Sequence, residues 1–151
     1  MALDGGCHGA AVARYGRRGE RTANVRTEPT EEVAMSFKLA HRAECETIGS
    51  WQLVRRTLEL QAFGINIVDI GAGEQIPEHD EIGRDQEEIF FVLAGDPTLV
   101  IDGEDHPAPA GTFARLDPEH KRTMRNDTRD PAEVLIVSAP RSSGYEPMEW
   151  A

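Results

Sequence analysis

The chain has 151 residues, a length that fits one domain with a modest core, and it contains no apolar run long enough to span a bilayer. Its formal net charge is −11; residues 1–34 set five Arg against five Asp or Glu, which leaves 11 basic against 22 acidic residues in the remaining 117. An acidic surface of that strength repels phosphate backbones, so neither nucleic acid nor an anionic membrane is expected as a partner.

Residues 1–34 are rich in Gly, Ala, Arg and Thr and lack sustained apolar periodicity. They are expected to form a flexible N-terminal extension, or to precede a true start at Met35, with residues 35–151 forming the folded domain. Arg17-Arg18 is followed by no apolar h-region, which argues against a secretion signal and makes the cytoplasm the expected location. Cys7 and Cys45 are expected to be free, inert thiols. From Ser36 to Gly49, Phe37, Leu39, Ala40, Ala43 and Ile48 suggest a short amphipathic piece. Trp51 to Leu60 reads as an edge or rim strand, since Arg55-Arg56 places one charge on each face. Ala62 to Ile70 is a stronger strand, with Phe63, Ile65 and Ile67 in alternation, and Gly71-Ala72-Gly73 ends it.

The stretch from Gly73 to Gly95 carries the chemistry. It sets a histidine and several carboxylates ahead of Ile89-Phe90-Phe91-Val92-Leu93, a short aromatic and β-branched run that reads as a strand. Side chains two apart share a face, so Glu88, Phe90 and Val92 point one way and Ile89, Phe91 and Leu93 the other. If the Glu88 face is the interior, a carboxylate enters apolar surroundings, where it requires a cation or several donors.

After Gly95, Thr98 to Ile101 is followed by Asp102-Gly103, a pair that favours the type I′ hairpin turn. Thr112 to Leu116, Lys121 to Arg125 and Glu133 to Val137 supply further short strands between Pro, Gly and Asp punctuation. Closely spaced short strands point to an all-β sandwich or closed barrel.

At these residues the chain resembles the cupin superfamily, and within it the small stand-alone cupin-domain proteins. Gly73, His79, Glu88 and Gly95 follow the first family motif, except that Glu81 stands where a second histidine is expected and the loop to Glu88 is longer. Gly111 and Asn126 hold the separation of the second motif, in which Glu119 replaces a glycine, Arg122 replaces the histidine and Pro118 is one place late. The resemblance covers about Phe63 to Pro140 and implies a double-stranded β-helix, the jelly-roll barrel. In metal-binding members three histidines and the glutamate hold one divalent ion; here His79 and Glu88 are kept.

Two readings of the site follow. In the first, the Arg122 guanidinium enters the same cavity as Glu88 and pairs with it through a two-pronged hydrogen bond, replacing the charge of the ion. The cavity then binds a small molecule through His79, Glu88 and Arg122, with Phe90 and Met124 either lining it or forming ordinary core; Arg122 would hold a ligand anion if Glu88 does not neutralise it, and His79 would act as acid or base. In the second, His79, Glu81, Glu88 and, with a register slip of two, His120 hold Mn, Fe or Zn for an enzyme acting on an oxygen-bearing metabolite. A non-catalytic interaction or sensing domain is a third alternative. His106 is expected to face solvent, and His8 and His41 lie outside the motif. A homodimer would form through an exposed strand and the C-terminal segment Tyr145 to Trp150, with Trp150 packed back on the barrel or on the second copy.

Overall fold

The computed structural model describes residues 37–149. The expected N-terminal extension, Met35, Cys7 and Trp150 lie outside the described residues. Two antiparallel sheets face each other, as the all-β jelly-roll reading requires. The larger contains β1 (Thr47–Ile48), β2 (Trp51–Gln52), β3 (Gly64–Ile70), β9 (Ala132–Pro140), β4 (Gln86–Ala94) and β7 (Phe113–Leu116), in the spatial order β1-β2-β3-β9-β4-β7. The smaller has the order β6-β5-β8, from β5 (Thr98–Ile101), β6 (Glu104–Pro107) and β8 (Arg122–Arg125). No helix among the described residues is long and apolar enough to cross a membrane.

The alternation along β4 sets the inside of the barrel. Glu88, Phe90 and Val92 are buried, whereas Ile89 and Leu93 are exposed on the outer face. Register carries this inward face across the sheet: Ser138 of β9 lies opposite Glu88 on one side and Gly64 on the other, and Ile136 lies opposite Phe90 and Asn66. Val68, Val92 and Val134 deepen the same face, and Leu99 and Met124, register partners on the small sheet, close the core from the other side. Each large apolar side chain buried there contributes about 1.5–3 kcal/mol.

Gly95 ends β4 at φ 83°, and a Cβ there would stand 2.8 Å from the Cα of Ala132, so both conformation and space require glycine. The β5-β6 hairpin turns on Asp102 and Gly103, both with positive φ as the type I′ turn demands.

The region before β3 differs from the sequence expectation. Trp51 to Leu60 is not one strand: β2 stops at Gln52 and a short helix, α1 (Val54–Leu58), follows, so Arg55 and Arg56 are helical neighbours. Phe37 and Leu39 are more than four-fifths exposed and belong to no amphipathic element; a 3-10 turn at Arg42–Glu44 forms instead, capped by His41 and Glu44. On β3 the fully buried side chains are Val68 and Ile70, not the Phe63, Ile65 and Ile67 set, because Val68 and Ile70 lie opposite the buried Val134 and Ala132 of β9 and so share the inward face.

Candidate functional site

The segment Gln75 to His79 runs antiparallel beside β8, bridging at Gln75 with Arg125 and at His79 with Arg122. His79 and Arg122 exchange both backbone hydrogen bonds, at 3.1 and 2.9 Å, so they are directly opposed and their side chains leave the same face. That face looks across the barrel at β4, where the inward alternation delivers Glu88. Pairing in two sheets thus brings together three residues that are 9 and 34 positions apart in sequence.

Arg122 is 0% exposed and Glu88 5%. Nε and Nη2 of Arg122 donate to the same oxygen of Glu88, at 3.0 and 2.7 Å, and Nη1 donates to the carbonyl of His120 at 2.7 Å. The expected two-pronged bond is therefore made to one carboxylate oxygen instead of two. Burial raises the Glu88 carboxyl, but the donors from His79 and Arg122 outweigh it and the pKa falls below its ordinary value. Nε2 of His79 stands 3.6 Å from the same Glu88 oxygen, and that carboxylate raises the imidazole pKa against the opposing effect of burial. Nδ1 of His79 lies 2.9 Å from the carbonyl of Pro77, a contact that requires Nδ1 to carry the proton. In the neutral ring the lone pair is then on Nε2, beside Glu88.

His79 and Glu88 form the floor of a cavity of about 570 Å³ whose lining also includes Trp51, Asn66, Glu81, Arg84, Gln86 and Ser138. Arg122 does not line it; the guanidinium lies behind Glu88, sealed from solvent, and so is not placed to hold a ligand anion. Phe90 and Met124, at 1% and 0% exposure, are core residues instead of ligand contacts. Both corrections have one cause: the inward face of a strand continues past the cavity into packed interior.

Of the four candidate metal ligands, three converge. One donor atom each from His79, Glu81 and Glu88 lies within 4.8 Å of the others. His120 is elsewhere, its half-exposed ring 2.7 Å from Asp102 on the hairpin turn. Glu81 is buried and receives Nη1 of Arg84 at 3.2 and 3.4 Å. One imidazole nitrogen and two carboxylates suit a divalent ion by donor type. Each carboxylate, however, already faces a guanidinium, so the pair carries no uncompensated charge to attract such an ion.

Sequence reasoning did not single out Trp51, Asn66, Arg84, Gln86 or Ser138. Gln86 was within reach, because it shares the Glu88 face two residues earlier; Asn66 and Ser138 required the registers of β3 and β9.

A family model described as Cupin domain matches residues 66–138. The chain is similar to the solved structure of a cupin protein from Bacteroides fragilis, with 26% identity and a TM-score of 0.58 over 64% of this chain and 80% of that one. A cupin-superfamily sugar phosphate isomerase from Silicibacter pomeroyi is 25% identical with a TM-score of 0.53, covering 59% of this chain and 57% of its own, so the chain spans little more than half of that protein. A Cupin 2 conserved barrel domain protein from Salinispora arenicola, 22% identical with a TM-score of 0.57 over 73% of this chain and 92% of its own, shares the fold. No curated protein sequence matches the chain.

Proposed function

The chain is a cupin-domain protein, and from that premise we propose that its cavity binds a small polar metabolite and moves a proton on it through His79, with the buried Arg122 guanidinium in place of a divalent ion. The observation that carries this reading is the double hydrogen bond from Arg122 to one oxygen of Glu88. It supplies the cation that a buried carboxylate requires and keeps Glu88 ionised beside His79.

The role of each group follows from its contacts. Pro77 fixes the proton on Nδ1, so Nε2 of the neutral ring accepts a proton from an O–H or acidic C–H of the bound molecule. The Glu88 carboxylate stabilises the resulting imidazolium and orients it, and the proton returns from Nε2 to the ligand in the reverse step. Likeness to a protein described as a sugar phosphate isomerase supports this class of chemistry, since isomerisation is itself a transfer of protons.

The test is solvent-deuterium incorporation into a panel of hydroxy-carbonyl metabolites, followed by NMR, with protein treated with chelator. Incorporation by the wild type and its loss in His79→Gln are expected. Incorporation that survives in His79→Gln, or that requires added metal, contradicts the proposal.

The convergence of His79, Glu81 and Glu88 favours a second reading, a divalent-metal enzyme. Those three residues would hold Mn, Fe or Zn, which when bound would act as a Lewis acid toward a ligand oxygen. His79 would then be held by its Nε2 and unavailable as a base. Elemental analysis of protein purified without chelator separates the two: an equimolar transition metal supports the second reading and removes the first.

A further inference from the structure

Beside the cavity lies a second lobe of about 450 Å³, sharing Gly64, Asn66, Arg84, Gln86 and Ser138 with it and adding Arg55 from α1. Two arginines therefore line one lobe, Arg55 from the helix and Arg84 from the 3-10 turn Ile82–Arg84. Arg55 has no carboxylate partner among the described residues, although its neighbour Arg56 pairs with Glu46, and Arg42, Arg115, Arg125 and Arg141 are each paired with acids. In a chain of net charge −11 an uncompensated cation beside a cavity is notable, because acidic partners are abundant. Arg84 is committed only to Glu81, through long contacts of 3.2 and 3.4 Å, and its side chain is 72% exposed.

Asn66, Gln86 and Ser138 line both the lobe and the cavity. Their side chains make no hydrogen bond to another described residue, and they are open to the cavity. The lining is therefore graded: Arg55 belongs to the lobe alone, Arg84 and the three uncharged side chains to both, and His79 and Glu88 to the cavity alone. An anionic group finds no free positive charge at the neutral Glu88–Arg122 pair and is attracted to the forked guanidinium of Arg55, with Arg84 beside it, whose geometry matches phosphate and carboxylate oxygens.

We infer that the lobe between Arg55 and Arg84 takes the terminal oxyanion, phosphate or carboxylate, of a hydroxyl-bearing small molecule whose hydroxyls meet Asn66, Gln86 and Ser138. The inference deepens the proposed function and rests on the cavity being a ligand site. It assigns the ligand's charge and polarity and its direction in the cavity, with the reacting end toward His79.

Calorimetric titration of the full chain with inorganic phosphate, fructose 6-phosphate, fructose and gluconate tests it. At least one of the three oxyanions is expected to bind, more weakly as ionic strength rises, and fructose is expected to bind less tightly than its phosphate. Arg55→Ala and Arg84→Ala should each weaken oxyanion binding by about tenfold, the loss of a charge-assisted hydrogen bond. Arg129→Ala, which removes a guanidinium outside both cavity linings, should leave it unchanged. Gluconate alone binding would assign the carboxylate; phosphate and its ester alone, the phosphate. No binding by any oxyanion at millimolar concentration, or equal binding by all three variants, overturns the inference. Deuterium incorporation through His79 into an uncharged ligand, with Arg55→Ala and Arg84→Ala without effect, would sink it while leaving the proton-transfer reading intact; oxyanion binding without incorporation would do the reverse.

Discussion

Arg122 places two N–H groups on a single oxygen of Glu88, at 3.0 and 2.7 Å, and so leaves the other oxygen of that carboxylate facing the cavity. Both residues are buried, and the third guanidinium nitrogen is taken by the carbonyl of His120. The pair is neutral as a unit, yet it presents an acceptor to a ligand. A chain with a metal at this point would lose its positive charge to a chelator; this one carries it covalently.

Removal of one partner exposes the cost of the other. Arg122→Met leaves Glu88 buried without its cation and should destabilise the fold by about 3–5 kcal/mol in urea denaturation. The double variant Arg122→Met with Glu88→Leu should recover most of that loss, since two apolar side chains desolvate cheaply. Equal destabilisation in the single and double variants would mean that packing, not charge, is what Arg122 provides.

The folded pKa of His79 lies above its ordinary value of 6.5, so its contribution to stability is fully present below 6.5 and disappears as pH rises through the folded value. Glu88 is lowered from 4.5, so its contribution is present above 4.5 and is lost as pH falls through its folded value. Both are in force together only between those limits. The difference in urea midpoint between wild type and His79→Asn should be greatest near about pH 5–6 and fade above the folded His79 pKa. Imidazole proton shifts followed by NMR measure that pKa, and Glu88→Gln should bring it down.

Metal affinity should respond to position 122 in the opposite direction to stability. Arg122→His removes a fixed cation next to Glu88 and offers an imidazole, which has a lone pair to donate where a guanidinium has none. After incubation with zinc or manganese and desalting, elemental analysis should find more metal on Arg122→His than on wild type. The variant's melting temperature should rise with metal and fall with chelator, as linkage requires of an ion that binds only the folded state. Wild type retaining as much metal as the variant would contradict the substitution of charge for ion.

Much of this arrangement was legible in the sequence, for reasons that differ by element. Period two along β4 was enough to turn Glu88, Phe90 and Val92 inward, and Asp102-Gly103 was enough for the hairpin. The juxtaposition of Glu88 and Arg122 was legible only through the family resemblance, because spacing within one strand says nothing about which strand faces it. The reading stopped where both faces of an element are partly apolar. Around β3, Phe63-Ile65-Ile67 and Val68-Ile70 both look like a core face, and α1, which packs against the strand, reads as strand in the sequence because five residues are too few to establish a helical period. Missing α1 also meant missing Arg55 as a cavity residue. Arg84 and Gln86 carry no signal of their own in the sequence, since a polar residue acquires meaning only when its direction is known.

The buried amide of Asn126 separates stability from function within the same strand register. Its Nδ2 donates to the carbonyls of Ile70 and Asp130, at 2.9 and 2.8 Å, and its Oδ1 accepts from the backbone N–H and hydroxyl of Thr128. The turn after β8 is thereby tied to the end of β3. Asn126→Ala strips donors from a buried carbonyl and should cost about 2–4 kcal/mol in urea denaturation. Asn126→Asp should be as damaging or worse above its own pKa, because a carboxylate oxygen would then face two carbonyl oxygens. Yet Asn126 is four residues along from Arg122, roughly 13 Å away at the rise of a strand, toward the Gln75 end of the pairing instead of the His79 end. At a temperature where the variant is folded, the His79 titration and oxyanion binding should match wild type. A shifted His79 pKa in Asn126→Ala would mean that the register of β8 against Gln75 to His79, and with it the approach of Arg122 to Glu88, depends on this one amide.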